Sequence, residues 1–535
     1  MKKKNKKSKQ KKQQLKKQKN FSELFDKIIN YKYLGIVLAA INFVGMLFIS
    51  LMYHKVADYG VETDFFWGYV PHAKKFLSGI IEIDSFRGPV YPAVLGIVKL
   101  ITSDFFVAGV LIAVLSASFV IFFTFEIQKR IFSPAIAFVV TLLLAFNPIF
   151  VQYSYSAGTD MFFGAIVTSA IYFFFKNKQV NYKNIMIAAF LSGLAYLTRY
   201  NGVFLLGLIF IILFVNYWNL IWAKRLKISA IFFVVFFITI TPWGIYCLSK
   251  KGSFFYNENY KNIAYELYGK GKIQWDKFWF KESNQFSSLT DVIKRDPEKF
   301  TSKMSANVVS HFMYDMQRLM GWFVGAFVAL GILLLLIRNP KKYWKSRENA
   351  YYLMNIFFFG ILLLVFYSER FSIFLIPFYA VIAVQPFLRE EFKLTRKIPK
   401  TAGYVILIAL CVITLSKSIS FNSSRIFSGP RQMLVMRDWF EKNMPGLESG
   451  KKIAARKPHV AYYLNMDFYL LPLVNSYEEL ISKLRKDKVD YLFFSPMEAM
   501  VRRKMEYLLD PKSNHPGLKV VLYFKNPPAV LYKVE

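Results

Sequence analysis

The sequence FFVAGVLIAVLSASFVIFFTFEIQ (105–128) decides the class of the fold, because it is apolar over the whole thickness of a membrane and only Glu126 carries a charge. Similar runs recur along the 535 residues, of which 55% are hydrophobic and 18% aromatic, and polar loops separate them. Soluble proteins of this length do not distribute their apolar residues in this way. The sequence therefore predicts a polytopic α-helical membrane protein.

About eleven transmembrane helices are predicted when each apolar run is assigned to one span. The runs are Leu34–Met52, Phe105–Gln128, Pro134–Tyr155, Met161–Phe175, Asn184–Thr198, Gly202–Leu220, Ile228–Leu248, Met316–Ile337, Tyr351–Tyr367, Phe371–Leu388 and Ala402–Ile419. They divide the chain into a basic tail (1–32), a transmembrane module (33–419) with two long loops (53–104 and 249–315), and a C-terminal segment (420–535).

The formal net charge of +36 is concentrated in the tail and in short clusters between the apolar runs. These clusters are Lys129-Arg130, Lys176 with Lys178, Lys224 to Lys227, Arg338 to Arg347, and Lys393 to Lys400. All of them fall on the side of the tail when the spans alternate, as the positive-inside rule requires. We therefore expect a multi-pass protein of the plasma membrane with a cytoplasmic N-terminus and both long loops outside. Nucleic-acid binding is not expected, because no recognised binding fold accompanies the charge.

An odd number of spans places the C-terminal segment outside the membrane on the extracytoplasmic side. Residues 451–456, 489–495, 518–524 and 529–534 are predicted strands, and residues 478–484 have helical spacing. We therefore expect a small extracytoplasmic α/β domain. Two cysteines inside apolar runs and five scattered histidines give neither a disulfide framework nor a metal site.

Two acidic stretches lie at predicted external ends of spans, namely ETDFFWGY (62–69) and SAGTDMFF (156–163). A carboxylate at the mouth of a span is costly unless it is paired or lines a wet cavity. Taken alone, Asp64 is equally well a solvated loop acid, and Asp160 a cap for the helix that follows it.

Further motifs accompany these acids in a fixed order. They are FRGPVYP (86–92), Asn147-Pro148 before Thr159-Asp160, TRYNG (198–202), ERFSIFLIP (369–377) and RKPHVAYY (456–463). From about residue 35 to residue 390 the chain resembles the GT-C glycosyltransferases of the protein O-mannosyltransferase and aminoarabinose transferase type, glycosyltransferase family 39. Those membrane enzymes use polyprenyl- or dolichyl-phosphate sugars. The resemblance implies a GT-C fold for this chain.

The resemblance also implies roles for the acids. In the family the acid of the first loop is the catalytic base, which carries over to Asp64, although Asp58 and Glu62 stay open as alternatives. The acid of the second loop supports the site, which carries over to Asp160.

The basic residue before the prolines of the first loop binds the carrier phosphate in the family, which carries over to Arg87. Family members often have lysine and two prolines there, whereas this chain has Arg87, Gly88 and Pro89. Arg199 and Arg370 are further candidates for the lipid phosphate, because a guanidinium matches phosphate geometry and stays charged. The alternative for both is snorkelling to the interface.

The resemblance implies transfer of a sugar from a polyprenyl-phosphate donor to a protein, lipid or glycan acceptor by single displacement. A positioned carboxylate deprotonates the acceptor and a preorganised cation stabilises the departing phosphate. No organic cofactor is expected, and members of the superfamily differ in whether they need a divalent cation, so that dependence stays open. The competing functions are a flippase of lipid-linked sugars, another membrane polymerase or ligase, and a non-enzymatic binding protein.

Overall fold

The structure, a computed structural model, describes residues 27–337, 345–389, 392, 400–427, 429–444 and 450–535. Most of the predicted basic tail lies outside the described residues, as do most of the clusters at 338–347 and 393–400.

Helices make up most of the described chain before residue 450. They are α1 (Leu34–Met52), α2 (Val70–Leu77), α3 (Val90–Lys99), α4 (Phe105–Ile131), α5 (Pro134–Ala145), α6 (Pro148–Tyr155), α7 (Thr159–Phe175), α8 (Tyr182–Thr198), α9 (Gly207–Ile211), α10 (Trp222–Lys251), α11 (Tyr260–Ala264), α12 (Trp275–Phe280), α13 (Leu289–Arg295), α14 (Pro297–Tyr314), α15 (Trp322–Leu336), α16 (Arg347–Leu362), α17 (Glu369–Ser372), α18 (Ile376–Leu388), α19 (Lys400–Phe427) and α20 (Gln432–Asn443). Short 3₁₀ or π turns lie at Phe65–Tyr69, Tyr200–Leu206, Ile212–Asn216, Tyr265–Gly269, Glu282–Gln285, Asp315–Leu319 and Ile373–Leu375.

Five helical stretches of the described chain are long and apolar enough to cross a membrane, and six if one bent pair is a single span. They are α1, α4, α10, the stretch from α17 to α18, and α19. Four other apolar helical stretches have 10–17 residues, including α7 and α15, which is shorter than the roughly 20 residues of a straight span. Several membrane-spanning helices are thus confirmed, and the count of eleven stays a prediction.

The predicted span Pro134–Tyr155 is broken in the structure into α5 and α6, which meet at 65°. Pro148 cannot donate a backbone hydrogen bond and its ring crowds the preceding turn, which favours a break in the helix here. The Asn147 side chain instead accepts from the N–H groups of Ile149 and Phe150 and begins a new helix. The Asn147 amide also donates to the Leu319 carbonyl at 2.7 Å, which holds the corner against a distant part of the chain.

The C-terminal domain is built on a five-stranded sheet. Its strands are β1 (Lys452–Ala455), β2 (Asp467–Leu470), β3 (Tyr491–Phe494), β4 (Leu518–Lys525) and β5 (Pro528–Val534), in the order β2-β1-β3-β5-β4. β1 is parallel to β2 and β3, whereas β5 is antiparallel to β3 and β4. The predicted strands and helix are confirmed, and β2 is an addition to them.

Alternate residues of the strands point to opposite faces of this sheet. Ile453 and Phe493 pack under α20 together with Val56 of the first loop, whereas Ala454 and Leu492 pack against the helix Tyr477–Lys486. The sheet is therefore covered on both faces, and one face is shared with the first loop of the membrane module. α19 runs on to Phe427, so the domain limits of 33–419 and 420–535 stay predictions.

Candidate functional site

The first loop is held in place by a buried carboxylate. Glu62 is 0% exposed. It accepts from the N–H of Asp58 at 2.7 Å and from the N–H of Ala157, and it lies 3.1 Å from His54 Nε2. Because Ala157 lies just before α7, Glu62 fixes the first loop to the segment that carries Asp160.

Asp64 lies two residues further on, immediately before the π turn Phe65–Tyr69. Arg87 Nη2 donates to Asp64 Oδ1 at 3.2 Å and Arg370 Nη1 donates to Asp64 Oδ2 at 2.8 Å. The Asp64 side chain is nevertheless 46% exposed. It is therefore paired and also accessible to a ligand.

Asp160 lies in the first turn of α7, where the helix dipole favours a negative charge. Arg370 Nε donates to both of its oxygens at 2.9 Å, and Arg199 also donates to it. The Asp160 side chain is only 4% exposed. Arg370 thus bridges an accessible carboxylate and a buried one, and the five residues proposed from the sequence form one continuous network.

Two neighbouring side chains orient Arg87, and two glycines leave the space that Arg87 and its loop occupy. Asp84 accepts from Arg87 Nη1 at 2.9 Å, and the Tyr69 ring lies 5.3 Å from the guanidinium. A Cβ on Gly68 would come 2.5 Å from Arg87 Cζ, and a Cβ on Gly88 would come 1.9 Å from the Leu197 carbonyl oxygen. Glycine at 88, where the family often has proline, therefore lets the loop pack against the end of α8.

The charges of this network nearly balance, since three arginines face Asp64, Asp84 and Asp160. Burial alone would raise the pKa of Asp64, but the charges of Arg370 and Arg87 outweigh it and hold that pKa well below its usual range. Asp64 is therefore ionised at neutral pH.

The three candidate acids of the first loop differ in what they contact. The Asp58 side chain accepts from the N–H groups of Gly60 and Val61 and closes a local turn. Glu62 is enclosed by backbone donors and His54. Of these three, only Asp64 pairs with Arg370, the arginine that also binds Asp160.

A cavity of about 130 Å³ adjoins Arg87. Apolar side chains make up most of its wall, including Phe76, Ile80, Ile81 and Trp243, and its charged lining is Arg87 with the carboxylates of Asp84 and Glu82. The cavity therefore offers an apolar lining beside a cation that is paired with Asp84.

The carboxylates of this site are arranged as partners of arginines. In the part of the chain that the structure describes, no group of three or more His, Cys, Asp or Glu side chains could hold a metal ion. Arginine nitrogens already occupy the oxygens of Asp64 and Asp160.

Sequence reasoning assigned no role to Asp84 or to Lys457. Asp84 could have been found from its spacing, because an aspartate three residues before Arg87 closes a turn with the N–H groups of Phe86 and Arg87. Lys457 Nζ donates to Thr63 Oγ1 at 2.9 Å. Only the docking of the C-terminal domain brings it to the site.

Comparison with known proteins identifies the fold. The sequence model of the family described as dolichyl-phosphate-mannose-protein mannosyltransferase matches residues 87–246, which is less than half of the chain. No curated protein matches the chain by sequence. The chain is similar to the structure of ArnT from Cupriavidus metallidurans bound to undecaprenyl phosphate, with a TM-score of 0.58, 13% identity, and coverage of 94% of this chain and 98% of that one.

Two structures of an Archaeoglobus fulgidus oligosaccharyltransferase are also similar. For the complex with Zn and sulfate the TM-score is 0.53 at 13% identity, with coverage of 86% of this chain and 68% of that one. For AglB in complex with an inhibitory peptide and a dolichol-phosphate the TM-score is 0.52 at 12% identity, with coverage of 87% and 69%. The resemblance inferred from the motifs is confirmed by these matches.

Proposed function

Because the chain has the fold of the GT-C membrane glycosyltransferases, we propose that it transfers a sugar from a polyprenyl-phosphate donor to an acceptor on the extracytoplasmic face of the membrane. The observation that carries this proposal is the network in which Arg370 joins Asp64 to Asp160, with Arg87 and Arg199 at its two ends. This network places an accessible carboxylate next to three guanidinium groups.

The arginines are proposed to bind the donor phosphate. Guanidinium groups bind phosphate oxygens through paired, charge-assisted hydrogen bonds. Arg87 opens on the largely apolar cavity that contains Phe76 and Trp243, and the first isoprene units of the carrier would lie there. The similar ArnT structure is described as bound to undecaprenyl phosphate, which agrees with a carrier of this class.

Asp64 is proposed to be the general base, since its side chain is 46% exposed whereas that of Asp160 is 4% exposed. While both arginines hold Asp64, its lowered pKa makes it a weak base. A donor phosphate would compete for Arg87 and Arg370, which removes positive charge from Asp64 and raises its pKa. The base would thus become effective once the donor is bound.

The proposed reaction is a single displacement. The acceptor hydroxyl or amine loses its proton to Asp64 and forms a bond to the anomeric carbon, while the bond from that carbon to the phosphate oxygen breaks. The electron pair stays on the phosphate, where the arginines stabilise it. Attack opposite the leaving group inverts the anomeric centre. Asp160 stays ionised beneath Arg370 and Arg199 and keeps both in position.

The proposed orientation of the protein in the plasma membrane is inferred from its basic clusters. Arg130 donates to the Tyr172 hydroxyl, Arg347 donates to the Phe175 carbonyl, and Arg389 pairs with Glu348 at 2.8 Å. The ends of these helices therefore gather on one side of the bundle. This supports a cytoplasmic side that carries the positive charge, with Asp64 and the C-terminal domain on the opposite, extracytoplasmic side.

The test begins with mass spectrometry of envelope glycans and lipid carriers from cells with and without the gene. Loss of one glycosylated product, with accumulation of its lipid-linked donor, is expected. That donor is then supplied to the purified protein, and appearance of the inverted product with free polyprenyl phosphate is measured. An unchanged glycan and carrier profile would contradict the proposal.

A further inference from the structure

The C-terminal domain presents the carboxyl end of its central parallel strand to the first loop. β1 lies between β2 and β3, and the chain leaves it towards β2 and then crosses to β3 on its other side. In parallel sheets such a crossing point opens a crevice at the carboxyl ends of the strands, where ligands bind. Lys457 lies two residues beyond the end of β1.

This edge is fixed firmly against the first loop. Tyr463 accepts from the N–H of Ala57 at 2.8 Å, and His459 Nε2 lies 3.2 Å from the Asp58 carbonyl oxygen. The Lys457 ammonium donates to Thr63, the residue directly before Asp64. The position of Lys457 relative to Asp64 is therefore set by three independent contacts.

The basic side chains near this edge differ in their partners. Arg456 and Arg502 both pair with Asp276 of the second long loop, at 3.1 and 3.6 Å. Lys457 has a hydroxyl as its hydrogen-bond partner, and among the described residues no carboxylate lies within 4.0 Å of its ammonium. Burial and the neighbouring Arg456 lower the pKa of Lys457, and the more distant charges of Asp64, Asp58 and Glu498 offset this only in part.

We propose that Lys457 binds an anionic group of a substrate, a phosphate or a carboxylate, beside the proposed base Asp64. This inference rests on the proposed function. The hydrogen-bond partner of Lys457 in the described chain is a neutral hydroxyl, and a substrate anion would give this ammonium a direct, charge-assisted hydrogen bond. The site would then be shared, with three arginines from the membrane module and one lysine from the C-terminal domain. The anion has two sources, the donor phosphate and a negatively charged group on the acceptor.

The test uses the full-length protein in lipid nanodiscs. Binding of undecaprenyl phosphate is measured for the wild type, Lys457→Gln and Lys457→Arg, with Lys451→Gln as the matched control. Lys451 lies just before the other end of β1 and pairs with Asp490 at 3.0 Å. In parallel, acylation of Lys457 by an amine-reactive ester is followed by peptide mass spectrometry, without ligand, with undecaprenyl phosphate, with inorganic phosphate, and with both together. Thermal unfolding of each variant confirms that it is folded.

If the anion is the donor phosphate, Lys457→Gln weakens undecaprenyl phosphate binding about tenfold or more, Lys457→Arg and Lys451→Gln do not, and the lipid protects Lys457 from acylation. If the anion belongs to the acceptor, lipid binding is unchanged and inorganic phosphate protects Lys457 in the presence of the lipid. Unchanged lipid binding together with no protection by either anion overturns the inference. A wild-type protein that does not bind undecaprenyl phosphate at all instead contradicts the proposed function.

Discussion

Replacement of Asp64 by asparagine separates catalysis from donor binding. Asp64→Asn keeps the shape of the side chain but removes the proton acceptor and the charge that pairs with Arg87 and Arg370. Loss of a positioned general base lowers turnover by about 10²–10⁴-fold. We expect that loss in kcat, with no loss of donor affinity.

The change in donor affinity follows from the two ion pairs. Both involve an Asp64 side chain that is 46% exposed, and pairs of this kind contribute roughly 0.2–1 kcal/mol each. A donor phosphate must displace both of them. Removing the carboxylate charge should therefore strengthen donor binding by at most about 2 kcal/mol, a factor of about 30.

The assay measures release of polyprenyl phosphate from the lipid-linked donor, and the dissociation constant of undecaprenyl phosphate, for the same preparations. The control is Asp438→Asn, which removes an exposed aspartate paired with Arg437 at 2.9 Å, far from the proposed machinery. Near-normal turnover in Asp64→Asn would refute the assignment of the base. Weaker donor binding in that variant would refute the competition between Asp64 and the phosphate.

The other predictions concern the supporting groups. Arg370→Gln should weaken undecaprenyl phosphate binding about tenfold or more. Because Arg370 holds the pKa of Asp64 down, the remaining activity of that variant should also fall at a higher pH on acidification than in the wild type, as a pH–rate profile will show. Glu62→Gln should lower the melting temperature, since Glu62 accepts hydrogen bonds from two backbone N–H groups. An unchanged melting temperature would argue that Glu62 does not hold the first loop in place. Chelation of divalent cations by EDTA should leave turnover unchanged, in contrast to a metal-dependent transferase. A reporter fused after Glu535 should be active only on the extracytoplasmic side, and cytoplasmic activity would overturn the topology.

The motifs predicted which residues lie close together in the fold, because each motif lies at a recognisable end of an apolar run. Asp64, Asp160 and Arg199 could be placed at the membrane surface from hydropathy and from the resemblance. Arg370 was also a candidate from the ERFSIFLIP motif, but which carboxylates it pairs with could not be predicted in the same way. Arg370 is 306 residues from Asp64 and 210 from Asp160 along the chain, and only tertiary packing decides that one guanidinium bridges both.

The other differences between the predicted and the observed structure depend on individual hydrogen bonds and on strand pairing. Hydropathy alone treats residues 134–155 as one span, whereas the Asn147 cap and Pro148 divide it into two helices. β2 escaped prediction because Asp467–Leu470 is an edge strand of four residues that is defined by its pairing with β1. The role of Glu62 depends on the Ala157 N–H, a group that no side-chain pattern reveals.

In the proposed mechanism, the pairing of Asp64 with Arg87 and Arg370 would also govern release of the carrier. The free polyprenyl phosphate carries more negative charge than the donor and would bind the guanidinium groups tightly. Once Asp64 had passed its proton to solvent, its carboxylate would compete for the same nitrogens. Product inhibition would then be relieved, and the guanidinium charges would stay compensated until the next donor bound.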